Sequence, residues 1–424
     1  MPRNGSSRSG DELMARTGTG LAFLVALIPF FVAVAAAQTP PRDAGRPGAS
    51  PGEAAALVAF DRFFDARLTE QGIVGASFVL LSDHQTAHAR TFGLADLAAK
   101  RPVGADTIFH WASITKTMTA IAIMQLRDRG LLSLDDPVVK YLPELRQVHN
   151  PFGPMESITL RMLMSHSAGF RNPTWPWGGD QDWHPFEPPG WAQVAAMLPY
   201  TQIEFPPGSK YSYSNPGIIF LGRVIELLTG DDYEVYVDKN ILKPLEMHRA
   251  FFDTAPAHLR ASRAHSYFWK NGGPVEARFD FDTGITVSNG GLNAPLADMA
   301  RYLDFLVGNP ARQAVYEGVL RRASLEEMWT PVVTVEGADE SGGKMGLCFF
   351  LEEHGGMPFV AHSGSQNGFI SHFYVNVKRR VAYVVAFNTV AEPVGPDGKA
   401  NTRQVDRDVR DYLVTNVIPA LAAR

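Results

Sequence analysis

Ser113 and Lys116 form a Ser-x-x-Lys pattern within the stretch FHWASITKTMTA, residues 109–120. If a helix begins near Ala112, the two side chains lie one turn apart on the same face. A serine hydroxyl is a weak nucleophile until a base removes its proton, and a lysine can be that base once burial lowers its pKa. The spacing therefore predicts an activated serine, although so short a pattern also occurs by chance on many helices.

A second candidate group is the triplet Tyr213-Ser214-Asn215, which lies on a loop just before a helical pattern. A tyrosine held near an ammonium group can relay protons to and from a serine or a leaving group. The amide of Asn215 has both a donor and an acceptor for a substrate amide. Because Tyr-x-Asn alone is usually only a turn, it indicates chemistry only if Ser113 lies nearby.

A third candidate group is the segment His362-Ser363-Gly364-Ser365, which follows a β-like run at residues 359–361. A strand edge that contains glycine lets a substrate backbone lie close to it. The N–H of Ser365 could then complete an oxyanion hole together with the N–H of Ser113.

The elements that must position these groups follow an α+β pattern. Apolar residues recur at helical spacing near both ends of the domain, at Leu57, Phe60, Phe64 and Leu68 and again at Val405, Val409, Leu413 and Val417. Runs typical of strands lie at residues 74–81, 87–92, 359–361, 370–377 and 381–387.

Between these strand-rich ends, helical patterns alternate with Pro/Gly loops from Ser113 to about residue 269. We therefore predict an antiparallel sheet flanked by N- and C-terminal helices, with an inserted region that is mostly α-helical. The predicted domain covers residues 54–424, with its sheet part at about 54–112 and 284–424 and its helical part at about 113–283.

The N-terminal residues resemble an export signal rather than part of the fold. Three arginines precede an apolar run at residues 21–35, and small residues follow it up to Ala37. We predict a signal peptide at residues 1–37, a linker at 38–53 and a periplasmic or secreted protein. The alternative is an uncleaved signal anchor, which would be the protein's only contact with a membrane.

The bulk composition excludes several other functions. The formal net charge is −5 and no Lys/Arg cluster stands out, which excludes nucleic acid as a partner. No His-Glu-x-x-His motif or dense His/Asp cluster is present, so we predict no metal and no other cofactor. We interpret His84 and His88 as surface residues on a hairpin rather than as a metal pair. The single cysteine, Cys348, lies in an apolar run and is predicted to be a buried core residue.

One loop is unusually rich in tryptophan. Four of the seven tryptophans lie between residues 172 and 192, among prolines and glycines. Such a loop is either a packed surface loop or an aromatic lip over a substrate pocket. On the second interpretation Trp175 and Trp177 contact the substrate.

Taken together, the three groups resemble in order and spacing the serine β-lactamase and penicillin-binding-protein superfamily. The resemblance is strongest to the branch with class C β-lactamases, D-alanyl-D-alanine carboxypeptidases and family VIII esterases, and it covers roughly residues 54–388. Further matching segments are residues 106–109, 131–137, 140–143, 163–169, 207–208, 243–247 and 290–292. The resemblance implies a β-lactamase/transpeptidase-like fold.

The resemblance also implies a role for each candidate residue. Ser113 would be the acylated nucleophile and Lys116 its activating partner, while Tyr213 would share the proton relay and activate water for deacylation. Asn215 would orient the substrate, and the Ser113 and Ser365 N–H groups would bind the oxyanion. Which of Lys116 and Tyr213 is the base in acylation stays open, because the two would titrate as a coupled pair.

The sequence departs from the class C pattern at His362. At this position class C enzymes have a Lys-Thr-Gly motif, whose lysine helps to hold the substrate carboxylate. His362-Ser363-Gly364 instead resembles the motif of the peptidase and esterase members. We therefore expect an exported, metal-free serine hydrolase acting on a small-molecule ester or a D-amino-acid peptide, with weak or absent hydrolysis of penicillins. The alternatives are a true β-lactamase and a non-catalytic sensor that binds penicillin or peptidoglycan.

Overall fold

Strands from both ends of the chain lie side by side in one nine-stranded antiparallel sheet. The computed structural model describes residues 50–170, 190–277, 279, 282–336, 343–392, 394–395 and 397–421. Its strands are, in chain order, β1 (Gly75–Ser82), β2 (Gln85–Asp96), β3 (Arg101–Pro102), β4 (Ile108–His110), β5 (Phe251–Phe252), β6 (Tyr267–Lys270), β7 (Gly273–Glu276), β8 (Leu292–Pro295), β9 (Val333–Thr334), β10 (Lys344–Met345), β11 (Phe350–His354), β12 (Met357–Gln366), β13 (Phe369–Asn376), β14 (Val381–Phe387) and β15 (Thr389–Val390).

The two ends of the chain meet where β1 pairs with β14. The strand order of the large sheet is β3-β2-β1-β14-β13-β12-β11-β10-β9, and the register places Ala76 opposite Phe387 and Ser82 opposite Val381. Every residue of both strands is buried. Their nearly continuous apolar sequences fit strands that are covered on both faces.

Helices cover those two faces. They are α1 (Pro51–Gln71), α2 (Thr115–Asp128), α3 (Leu160–Met164), α4 (Trp191–Met197), α5 (Asn215–Thr229), α6 (Tyr233–Val237), α7 (Val287–Gly290), α8 (Leu296–Val307), α9 (Gln313–Val319), α10 (Arg322–Met328) and α11 (Thr402–Tyr412). In the described part of the chain, none of them has both the length and the apolar character that crossing a membrane requires.

The N- and C-terminal helices share one face of the sheet. Phe60 of α1 lies against Phe78 of β1, with ring centroids 4.7 Å apart. The apolar residues at helical spacing that the sequence predicted for these two helices are all buried in the hydrophobic cluster that includes Phe60 and Phe78. Helix α1 begins at Pro51, inside the predicted linker, because the Ser50 hydroxyl accepts a hydrogen bond from the Glu53 N–H and proline suits the first helical turn.

The other face carries the helical region that holds the candidate site. Helix α8 contacts β1, β13 and β14 directly, and α2 packs among α5, α6 and α7. Twelve residues of α2, Thr115 through Leu126, are buried. A helix buried on all sides is a rigid support for whatever precedes its first turn.

Two small sheets complete the structure. The sheet β4-β8-β5 joins the segment before Ser113 to the segment after α7, with His110 opposite Asn293. The sheet β15-β6-β7 includes one parallel pair, β15 with β6. Strands β5, β6 and β7 lie in the region that the sequence predicted as mostly helical.

Several further predictions can be compared with the described residues. The hairpin and the strands near the C-terminus are present, but β12 extends through Gln366, so His362 to Ser365 lie within a strand rather than after it. The predicted signal peptide and most of the predicted linker lie outside the described residues. The described residues all belong to one compact unit.

The interpretation of His84 and His88 as surface residues was wrong. His88 is buried, and its Nε2 lies 2.7 Å from Oδ1 of Asp61 on α1. His84 Nδ1 lies 3.0 Å from Oδ1 of Asp304 on α8. Each histidine therefore links the β1–β2 hairpin to a helix on a different face, a contact between distant segments that local spacing cannot indicate.

Candidate active site

Ser113 lies in a tight turn between a strand and a buried helix. Strand β4 ends at His110, and a 3₁₀ turn, Ala112–Ile114, leads directly into α2. Ala112 has φ 48°, a left-handed conformation that is uncommon for a residue with a Cβ. The indole Nε1 of Trp111 donates to the Ala294 carbonyl at 2.9 Å, so β8 holds the turn in place.

Lys116 lies against Ser113 inside the protein. Its Nζ is 2.9 Å from Ser113 Oγ and donates to the Asn289 carbonyl at 2.7 Å. The side chain has no solvent exposure, and burial lowers its pKa from 10.5 to about 7. A neutral amine can donate one N–H to Asn289 while its lone pair accepts the proton of Ser113, which is the geometry a general base requires.

Tyr213 approaches Ser113 from the loop before α5. The Ser113 side chain interacts with its hydroxyl, and Lys116 Nζ lies 5.0 Å from the centre of its ring. Burial raises the pKa of the Tyr213 phenol well above its usual value. Tyr213 is therefore a neutral phenol at neutral pH and can donate a proton, whereas Lys116 can accept one.

Strand β12 packs directly against the turn that carries Ser113. A Cβ added to Gly364 would lie 2.1 Å from the Trp111 carbonyl oxygen, so only glycine allows this approach. The same carbonyl accepts a hydrogen bond of 3.1 Å from Ser371 Oγ on β13. Ser365 is the next residue of β12, and its predicted place in an oxyanion hole with Ser113 stays a prediction.

His362 is buried and uncharged. The residue is 1% exposed, and Nδ1 lies 2.7 Å from the Ser363 carbonyl, to which it donates. Burial, followed by the nearby Lys116, lowers the pKa of His362 to about 3. Desolvation keeps this ring neutral, with Nε2 as its acceptor.

The comparison with known proteins identifies the family of this chain. Residues 60–407 match the sequence profile of the β-lactamase family. The chain belongs to the β-lactamase family. The predicted superfamily and fold class are therefore confirmed.

Three known proteins are similar to this chain in sequence or in fold. The esterase EstB of Burkholderia gladioli is 32% identical over 211 residues, which are 48% of this chain and 53% of the esterase. The chain thus spans about half the length of this curated relative. The structure of an octameric penicillin-binding protein homologue from Pyrococcus abyssi superposes with a TM-score of 0.68 at 28% identity, covering 78% of this chain and 73% of that one. A class C β-lactamase superposes with a TM-score of 0.69 at 19% identity, covering 88% and 98%.

Two parts of this site could not be recognised from side-chain types in the sequence. The Asn289 carbonyl that accepts from Lys116 belongs to α7, and any residue type offers such a carbonyl. The neighbouring Gly290 has its own constraint, because a Cβ there would lie 2.7 Å from Oε1 of Gln366 on β12. Only the glycines at residues 290 and 291 marked this segment in the sequence.

His166, which lies in the matching segment 163–169, packs against Tyr213. The two ring centroids are 4.5 Å apart with an interplanar angle of 30°. Asn215 is half-buried at the first residue of α5, directly after Ser214, whose hydroxyl accepts from the Gly217 N–H. The structure thus brings Ser113, Lys116 and Tyr213 together, with Asn215 two residues beyond the tyrosine.

The remaining predicted residues are less directly placed. Trp175 and Trp177 lie outside the described residues, so their predicted contact with substrate stays a prediction. Trp191 begins α4, and its indole donates to Glu144 Oε1 at 3.3 Å. Cys348 is buried as predicted, and burial raises the pKa of its thiol to about 12. Within the described ranges no group of three or more His, Cys, Asp and Glu side chains could hold a metal ion.

Proposed function

We propose that this member of the β-lactamase family is a serine hydrolase that forms an acyl-enzyme on Ser113. Its proposed substrates are esters whose acyl group carries no charge. The observation that carries the proposal is the 2.9 Å contact between Ser113 Oγ and the buried Lys116 Nζ. Burial brings the pKa of that lysine to about 7, so a large fraction of the amine is free to accept a proton at neutral pH.

In the proposed acylation step, Ser113 transfers its proton to Lys116 as Oγ attacks the ester carbonyl carbon. The tetrahedral oxyanion is stabilised by the N–H groups of Ser113 and Ser365, each contributing on the order of 3 kcal/mol. The bond to the leaving alcohol then breaks. The Tyr213 phenol, which interacts with the Ser113 side chain, passes a proton to the departing oxygen and regains one from the Lys116 ammonium.

Deacylation reverses these transfers. Water attacks the acyl carbon and gives up its proton through Tyr213 and Lys116, and Ser113 leaves with a proton restored to Oγ. The net reaction consumes one ester and one water and releases one acid and one alcohol. No step requires a metal or another cofactor.

The preference for esters of uncharged acids follows from His362. Class C enzymes have a lysine at this position, whereas the His362 ring is buried and neutral with a pKa of about 3. A substrate carboxylate placed beside it would lose its hydration without gaining an ion pair, which is costly. The name of the Burkholderia gladioli relative, esterase EstB, supports an ester as the substrate.

The decisive experiment is covalent labelling followed by substrate profiling. We expect a fluorophosphonate probe to label the wild-type protein and Ser157→Ala, which removes an exposed serine, but not Ser113→Ala. We expect p-nitrophenyl esters to be hydrolysed much faster than D-Ala-D-Ala peptides or nitrocefin. Equal labelling of Ser113→Ala, or no label on the wild type, would contradict a Ser113 acyl-enzyme.

We also propose that the protein is exported and loses residues 1–37. The support is the arrangement of arginines, apolar run and small residues ahead of Gln38. N-terminal sequencing of the protein recovered outside the cytoplasm should start at Gln38. Recovery of the intact N-terminus from a membrane fraction would favour the uncleaved anchor instead.

A further inference from the structure

His166 holds the residues on both sides of Tyr213. Its backbone carbonyl accepts from the Ser212 N–H at 2.8 Å. Its ring Nδ1 accepts from the Ser214 N–H at 3.1 Å. The N–H groups of the two residues that flank the tyrosine are therefore both bonded to a single residue from another part of the chain.

The imidazole of His166 also forms one wall of the space that holds the Tyr213 ring. The two rings are tilted by 30° with centroids 4.5 Å apart. Tyr211 meets the same imidazole edge-on, with centroids 6.0 Å apart. The Tyr213 ring thus lies close to both His166 and Lys116, and its hydroxyl interacts with the Ser113 side chain.

His166 is itself fixed by local hydrogen bonds at the end of α3. Its N–H donates to the Leu163 carbonyl at 3.2 Å, and the Ser167 N–H donates to the Met162 carbonyl at 2.9 Å. Its φ of 53° lies in the left-handed region. This conformation directs both the carbonyl and the ring of His166 towards the Tyr213 loop, and only 1% of the residue is exposed.

We propose that His166 is a positioning residue that sets the Tyr213 hydroxyl against Ser113. The inference rests on the proposed function, because it assigns His166 a role in the proton relay. His166 neither contacts Ser113 in the described structure nor needs to exchange a proton. It acts by holding the relay phenol in hydrogen-bonding geometry, where a displacement of about 1 Å can cost about 100-fold in rate.

The neutral form of His166 is the one that can do this. Nδ1 can accept from Ser214 only without a proton of its own. Burial lowers the pKa of His166 well below its usual value, and the neighbouring Lys116 and His362 act in the same direction. The positioning contact therefore persists over the whole working pH range, and losing it should not change the shape of the pH profile.

The test compares two replacements of the ring. In His166→Asn, the amide oxygen can replace Nδ1 as acceptor, and asparagine tolerates a positive φ. In His166→Gln, the amide oxygen lies too far out to accept from Ser214. On p-nitrophenyl acetate we expect kcat to fall roughly 30- to 100-fold in His166→Gln, with KM changed less than about threefold, and to recover most of its value in His166→Asn.

A double-mutant cycle with Tyr213→Phe decides whether His166 acts through the tyrosine. We expect His166→Gln to cost less than about threefold in kcat once the Tyr213 hydroxyl is absent. A full second loss in the double variant, or equal kcat in the Asn and Gln variants, would overturn the inference. Fluorophosphonate labelling distinguishes failure of the proposed function from failure of this inference. A wild type that is not labelled refutes the proposed function. A labelled wild type in which the two substitutions have additive effects on kcat refutes only the role of His166.

Discussion

Lys116 Nζ lies 2.9 Å from Ser113 Oγ in a site where the lysine has no exposure to solvent. The backbone carbonyl of Asn289 holds the amine from the other side at 2.7 Å. An unpaired buried ammonium is costly, so the neutral amine is favoured and the pKa falls to about 7.

Replacing Lys116 with an uncharged or permanently charged side chain should abolish most of the activity. Lys116→Met keeps the length of the side chain without a base, and Lys116→Arg is always protonated. We expect kcat/KM for p-nitrophenyl acetate to fall about 100- to 10,000-fold in both variants. Lys140→Met, which removes an exposed lysine, should stay within about twofold of wild type. A loss of less than tenfold in Lys116→Met would contradict the assignment of this lysine as base.

The activity should rise with pH through about pH 7. Below the pKa of Lys116 the amine is protonated and cannot accept the Ser113 proton, so kcat/KM should fall about tenfold per pH unit. Above that pKa the neutral amine predominates and kcat/KM should level off. Stopped-flow or plate assays with p-nitrophenyl acetate from pH 5.5 to 9 measure this directly. A flat profile over that interval would show that no group with this pKa controls the reaction.

Gly364→Ala should damage the site through packing alone. The added Cβ would lie 2.1 Å from the Trp111 carbonyl oxygen, which precedes Ala112 and Ser113. Separating β12 from this turn should lower the free energy of unfolding by about 1–3 kcal/mol and reduce kcat at least tenfold. Gly104→Ala provides the matched control, because nothing lies within 4 Å of its added Cβ. Thermal melts and ester hydrolysis of both variants give the comparison, and equal behaviour would refute the close approach.

A free carboxylate on the acyl group should make an ester a poor substrate. The test compares two p-nitrophenyl esters of the same dicarboxylic acid, one with its second carboxyl group methylated and one with that carboxyl group free. We expect kcat/KM to be at least tenfold higher for the methylated ester, because the neutral His362 offers the free carboxylate no charge. The ratio should stay constant from pH 5.5 to 8, since the pKa of His362 is about 3. His362→Gln should leave this ratio of kcat/KM values unchanged. A preference for the free acid, or a ratio that changes sharply near pH 6.5, would show a charged group at this position.

The sequence by itself determined the residue types and their local spacing. The Ser113 and Lys116 pair is separated by one helical turn, and that distance follows from local geometry once α2 begins at Thr115. The apolar periodicity of α11 and the strand-like runs of the β1–β2 hairpin also depend on near neighbours in the chain. For these elements the prediction and the structure agree.

Only the tertiary structure decided the chemical state of the site. The low pKa of Lys116 and the neutrality of His362 arise from desolvation by segments far apart in sequence, which no local pattern encodes. The hydrogen bond between His166 and the residue after Tyr213 and the close packing of Gly364 on the Trp111 carbonyl likewise join distant elements. Burial and long-range packing thus turn a common four-residue motif into a serine with a neutral base beside it.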